Sequence, residues 1–291
     1  MKKIKIYIPL IVLVSIFIEA CERDITVKLP TPEEKIVVQG SIEQDEYAMV
    51  MLTKNSPYFS NIDSAQMINL IVQNAFVTVC DGVNTDTLHP LYDPNYFPPY
   101  IYKGSHLKGV IGNSYSLRVE AEGKVLTAHT TIPAPQPLDS VWFQTEPNQD
   151  SLGYLWAIIS DPPGVSNFYR LFTKRLHRDN RFFPILGSVY DDRFFDGQTL
   201  TFSISRGITN LSEDNSGDAE TTYFKVGDTI VLKACAIDKA HYDFWYSAER
   251  AMFSGGNPFA TPSTIPSNIE GGGLGVWGGY GAINYTVVAK K

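Results

Sequence analysis

Cysteine is scarce in this chain: Cys21, Cys80 and Cys235 are all that 291 residues contain. No C-x-x-C pair occurs, which excludes a thioredoxin-like redox motif and a zinc ribbon. Histidine is as thin. His89, His106, His129, His177 and His241 form neither H-E-x-x-H nor H-x-H, so no local zinc-ligand spacing is written into the sequence. There is no Walker lysine and no G-x-S-x-G elbow. A positive excess is missing too, with 24 basic against 31 acidic side chains and a net charge of −7. Nucleic acid is excluded as a main partner, because phosphate binding needs a basic face. Internal repeats are absent, and no apolar run follows the one at the N-terminus that could cross a bilayer. With 44% hydrophobic and 19% charged residues, the composition is that of a globular protein and not of a disordered one.

What is present begins with an address. Lys2, Lys3 and Lys5 precede an apolar run from Ile6 to Ile18. That run is short of the roughly 20 residues a spanning helix needs, and it suits a secretory signal. It ends in Ile18-Glu19-Ala20-Cys21, which resembles a bacterial lipobox. In such signals the cysteine is acylated, for example with palmitate, and becomes the first residue of the mature chain. The expectation is a signal peptide over 1–20, lipidation at Cys21 and a proline-bearing tether over 21–35. Each buried CH₂ of the lipid contributes about 0.8 kcal/mol, and several chains together hold stably. Removing residues 1–20 takes away three lysines and one glutamate, so the mature part carries −9. Glu22 and Asp24 resemble the surface-export signals of Bacteroidota lipoproteins. Cys80 and Cys235 lie in apolar, strand-like runs and read as buried thiols in preference to a disulfide.

The remainder reads as mostly β. Ile36–Gly40, Ala48–Thr53, Ala75–Cys80 and Tyr115–Glu120 are short β-branched or alternating runs bounded by turn signals such as Asp81-Gly82. Ile132-Pro133-Ala134-Pro135-Gln136-Pro137 lacks ladder donors and predicts a boundary. It separates a β-sandwich domain over 36–133 from a second antiparallel β domain over 138–291, a sandwich or a small barrel. One helix is predicted near 238–253, with Asp238 as its cap and large residues three or four apart. Ala282 to Ala289 predicts a closing strand.

Several segments invite a chemical reading. Gly273-Leu274-Gly275-Val276-Trp277-Gly278 matches G-x-G-x-x-G in letters. A dinucleotide site needs a strand before it and a helix after it. Here a loop precedes and a strand follows, so a closely packed glycine loop is the expectation, and no cofactor is expected. Asp191, Asp192 and Asp196 crowd one loop and offer oxygen ligands of the kind calcium takes; a charged hairpin loop is the plainer reading. Five Asp-Ser/Thr-aliphatic triplets, among them Asp139-Ser140-Val141 and Asp228-Thr229-Ile230, resemble an O-glycosylation sequon and also suit strand starts. The run Leu91 to Tyr102 interleaves aromatics with proline. Its Tyr92, Tyr96, Phe97, Tyr100 and Tyr102 are candidate contacts for a glycan, a peptide or a partner protein.

Taken together, residues 21–290 resemble a Bacteroidota outer-membrane lipoprotein family catalogued as domain of unknown function 4249. Ile36-Val37-Val38-Gln39-Gly40, Ala75-Phe76-Val77-Thr78-Val79 and Gly112 to Val119 match its first domain, which looks like a transthyretin or carboxypeptidase-regulatory sandwich. The C-terminal motif is Asn257-Pro258-Phe259, then Pro266-Ser267-Asn268-Ile269, then Gly272-Gly273-Leu274-Gly275, with Trp277 where the family suggests phenylalanine. The resemblance implies an outer-membrane-anchored accessory lipoprotein, surface-exposed or periplasmic, beside a TonB-dependent receptor. It implies no catalytic residues, and the expectation is a protein that is not an enzyme. The alternative is a stand-alone glycan- or peptide-binding lipoprotein.

Overall fold

Strand-forming residues dominate from Lys35 onward. The computed structural model describes residues 33–56, 64–207, 222–254 and 264–291. Cys21 and the signal region lie outside the described residues. Residues 34–291 form one compact unit.

The first half contains β1 (Ile36–Glu43), β2 (Tyr47–Lys54), a short helix α1 (Ser64–Asn69), β3 (Phe76–Cys80), β4 (Thr85–Tyr92), β5 (Tyr100–Lys108), β6 (Ser114–Ala121) and β7 (Lys124–Thr131). The second half contains β8 (Ser140–Thr145), β9 (Leu152–Ser160), β10 (Phe168–Arg175), β11 (Phe183–Asp191), β12 (Thr199–Ile204), β13 (Phe224–Lys225), β14 (Thr229–Ala236), α2 (Lys239–Ser254) and β15 (Leu274–Val288). Alternation decides which faces are buried. In β6, Tyr115, Leu117, Val119 and Ala121 point inward while Ser114, Ser116, Arg118 and Glu120 do not, as a period of two dictates.

Two strands of the large sheet divide their length between two partners. Thr85–Leu88 of β4 pairs with β3, and His89–Tyr92 pairs with β5. Leu274–Tyr280 of β15 runs parallel to β1, and Gly281–Val288 runs antiparallel to β14. The result is a continuous order of eleven strands, β11-β10-β14-β15-β1-β2-β5-β4-β3-β6-β7, with β8, β9, β12 and β13 in a smaller sheet. The fold is sandwich-like, and neither half closes into a barrel. One core gathers Val38, Leu52, Val79, Tyr115, Leu126 and Trp277. Another gathers Leu155, Tyr169, Ile204, Phe224, Ile230 and Leu232. The proline segment 132–137 therefore runs between two cores, but β15 carries one sheet across both.

The glycine-rich stretch corrects the sequence reading. A loop is expected through 271–281, and the structure starts β15 at Leu274. Glycine is depleted in strands because it packs poorly, and that rule fails where neighbours crowd both faces. A Cβ on Gly278 would overlap His241, and one on Gly275, held at φ +112°, would overlap the Val38 backbone. These glycines let β15 thread between elements already in place.

Helix α2 begins where capping chemistry puts it. The Asp238 Oδ1 accepts the His241 N–H at 2.8 Å, a side-chain cap on the first turn. Its buried face carries His241, Tyr242, Ala248 and Glu249 against β10, β11 and β15. Cys80 and Cys235 are both free thiols. Burial pushes the Cys235 thiol well above the ordinary range.

Candidate functional site

The aromatic segment between β4 and β5 is divided among three environments. Tyr92 and Tyr100 pair across the hairpin, edge to face, with ring centroids 5.3 Å apart. Phe97 is exposed and lines a groove with Ile68 and Ile71. Tyr102 is only 2% exposed. Its hydroxyl donates to Val72 O at 3.0 Å and accepts the Ala75 N–H at 3.1 Å. Tyr102 is thus a core residue pinning the β3 approach, and not an available contact. Tyr102→Phe should cost about 1–2 kcal/mol in urea unfolding through two lost hydrogen bonds, with no effect on ligand binding.

Tyr96 turns the other way, into a cavity of about 430 Å³. Asn95 accepts a hydrogen bond from Asn180 at 2.8 Å, which ties this loop to the β10–β11 connection. The cavity lies where β15 leaves β1 for β14. Its floor comes from β1, β2, β14 and β15, and its walls from α2, the β10–β11 connection and Tyr96.

Arg170 is its central charge and is 4% exposed. The guanidinium carbon sits 3.7 Å above the Trp245 ring and 4.9 Å from that of Phe172. Its Nε–H donates to Ser188 Oγ at 3.1 Å, and one Nη1 N–H donates to the Tyr280 hydroxyl at 2.7 Å. Ser188 in turn donates from Oγ and from its backbone N–H to the Glu249 carboxylate, at 2.5 and 2.8 Å. Lys233 pairs with Glu43 at 2.6 Å and lies 4.3 Å from the Phe182 ring. Arg181 lies over Tyr96 and Phe183. Two buried ring nitrogens, His241 Nδ1 and Trp245 Nε1, have no hydrogen-bond partner among the described residues.

The cavity's field is visible in its titrating groups. Burial lifts the Tyr280 phenol to about 12, against the opposing pull of Arg170. Burial first, and then Arg170, push His241 down to about 3. A histidine held neutral in the fold and protonated when unfolded contributes stability above its unfolded value of 6.5, and loses it as pH falls toward the folded value. Stability should therefore decline by about 1.4 kcal/mol per pH unit as pH falls below about 6.5. His241→Gln should flatten that slope in pH-dependent urea titrations.

The acidic loop resolves differently from the sequence reading. Asp191 leaves the group: it accepts from the Tyr242 hydroxyl at 2.6 Å and pairs with Arg193 at 2.7 Å. Asp161 joins Asp192 and Asp196 instead, with oxygens within 4.8 Å of one another. This is the one trio of candidate metal ligands among the described residues. Each carboxylate already accepts protein donors: Tyr169 Oη at 2.7 Å on Asp161, Asn167 N at 2.5 Å on Asp192, and Gly164 N at 2.7 Å on Asp196. The arrangement closes the 161–167 turn onto the 192–197 turn.

The C-terminal motif is a seat for β15. Asn268 donates to Trp277 O at 2.7 Å and accepts the Trp277 N–H at 2.9 Å. Ser267 Oγ accepts the Ile269 N–H. Gly272 turns the chain at φ +84°, and Gly273 packs on Leu126 and Ile269. Asn257, Pro258 and Phe259 lie outside the described residues. Residues 22–285 match the profile of a family described as Domain of unknown function (DUF4249). The chain belongs to this family. The DUF4249 match covers both cores, the seat of β15 and every cavity residue named above. No curated protein matches the chain.

Sequence reasoning singled out Tyr96 but missed Arg170, Lys233 and Trp245. Arg170 sits in a recognisable alternating strand, yet alternation alone does not distinguish a snorkelling arginine from one buried between rings.

Proposed function

We propose that this DUF4249 protein is a lipid-anchored, non-enzymatic binding protein of the outer membrane that assists a TonB-dependent receptor in capturing or gating substrate. The preformed cavity carries the reading. Its charged groups are held in place by ring contacts and hydrogen bonds before any ligand arrives, which lowers the ordering cost of capture. The lipobox ending at Cys21 and the acidic residues after it support anchorage, and the compact unit begins at Glu34. No helix among the described residues is long and apolar enough to cross a membrane. The test is a pull-down of the native lipoprotein from detergent-solubilised outer membranes. A TonB-dependent receptor should be recovered under mild conditions, and recovery without one would refute the receptor role.

A stand-alone glycan- or peptide-binding role is favoured by the surface aromatic pair of Tyr92 and Tyr100. If that pair is the contact, Tyr92→Ala with Tyr100→Ala should abolish glycan-array or peptide binding while shifting the melting temperature by only a few degrees. Retained binding would remove this reading.

A further inference from the structure

We propose that the cavity binds a small organic carboxylate, a carboxyl group carried on a single ring. This rests on the reading of the protein as a binding protein and adds the ligand class to it.

The first observation is an unmatched cation. Arg170 is buried, forms no ion pair among the described residues, and uses two of its five N–H donors, on Ser188 and Tyr280. Its other donors have no acceptor among the described residues. A buried guanidinium with idle donors is short of an anion. The second observation is independent of it. Trp245 presents a buried indole N–H with no acceptor, beside the same guanidinium. Both residues line the same cavity, and each carries an N–H for which the described residues supply no acceptor. The third is that Glu43, the acidic side chain of the lining, is taken up by Lys233, which leaves Arg170 facing no carboxylate of that lining.

Shape selects the kind of anion. The Trp245 ring covers the guanidinium face at 3.7 Å, and Phe172 borders it. A ligand must therefore approach along the guanidinium edge, in its plane. A carboxylate is flat and fits such a fork with two parallel bonds. A tetrahedral phosphate fits the slot between rings less well. The lining also includes Met49, Met51, Tyr96 and Phe182, soft and aromatic surface suited to a ring, with Gln39 and Ser41 as polar groups beside it. A volume of about 430 Å³ accommodates one ring with its substituents. The ring could belong to an aromatic acid or to a uronic sugar, since both present the same head on a flat or gently puckered body.

The experiment is calorimetric titration of the full-length, detergent-solubilised lipoprotein with phenylacetate and with glucuronate, each against its neutral counterpart, phenylacetamide or glucose. At least one acid should bind, and at least about tenfold more tightly than its neutral partner, the scale set by losing a charged hydrogen-bonded contact. Binding of phenylacetate assigns the aromatic source, and binding of glucuronate assigns the sugar source. Inorganic phosphate should not compete. Arg170→Gln should erase the preference for the acid. Because Arg170 is buried and its loss could unfold the chain, Glu43→Gln serves as the second variant. It removes the cavity's carboxylate, frees Lys233 and should tighten acid binding several-fold. Absence of binding by both acids, equal binding of the neutral compounds, effective competition by phosphate, or weaker binding in Glu43→Gln would each overturn the proposal. Receptor recovery in the pull-down without acid binding would defeat this inference alone. Acid binding without receptor recovery would defeat the receptor role alone.

Discussion

Trp277→Ala should destabilise the protein by about 3–5 kcal/mol, the range for emptying a buried aromatic site. Trp277 is 0% exposed and lies in the first core. It is also more than 140 positions from the rest of that core's strands in sequence, so its contribution there depends wholly on β15 crossing between the halves. Its indole N–H donates to Tyr115 O at 3.1 Å, and its six-membered ring fills the space left by Gly40. Truncation would leave both a cavity and an orphaned carbonyl. Trp277→Phe keeps most of the ring and should cost only about 1–2 kcal/mol, chiefly the hydrogen bond and a small void. Urea unfolding of the two variants checks this. A loss below 1 kcal/mol for Trp277→Ala would mean that β15 does not contribute to the first core.

The second large effect concerns Arg170, Ser188 and Glu249, all buried. Glu249→Ala removes the acceptor of two hydrogen bonds from Ser188. It also removes the buried carboxylate to which Ser188 links the Arg170 guanidinium. Breaking a buried charged set by removing one member costs about 3–5 kcal/mol. Removing both side chains should cost less than the sum of the single losses, because the hydrogen-bonded chain through Ser188 is then lost once and not twice. A double-mutant cycle with Arg170→Met and Glu249→Met, read by chemical denaturation, should show this shortfall. Strict additivity would mean that the two charges do not sense each other through Ser188.

Much of the architecture is legible in the residues, and the reasons are local. Tyr115 to Glu120 alternates because one face is wet, and Asp238 announces α2 because its carboxylate caps the first turn. The proline segment signals a change of core, since proline cannot join a ladder. What escapes local reading is long-range. Leu274 to Gly281 looks like a loop because glycine disfavours strands, and it becomes a strand because His241 and the Val38 backbone leave no room for a side chain. The site divides the same way. The aromatic segment stands out in sequence, but only the fold sends Tyr102 to the core, Tyr96 to the cavity and Tyr92 to the surface. Arg170 and Trp245 are about 75 residues apart in sequence, and nothing in either neighbourhood says that they stack. Asp161 joins Asp192 and Asp196 for the same reason: two turns meet only once β10 and β12 are in place.

The binding claim at the centre of this account is tested most directly by the side-chain N–H resonances of the protein's four tryptophans. Trp245 lines the cavity, Trp277 is sealed in the first core, and Trp142 and Trp156 stack on each other across β8 and β9. In a nitrogen-15 titration with phenylacetate and then glucuronate, the Trp245 indole N–H should move on adding at least one acid. The other three should stay fixed, and phenylacetamide and glucose should move none of them. A Trp245 resonance that ignores both acids, or shifts that concentrate on Trp142 and Trp156, would contradict it.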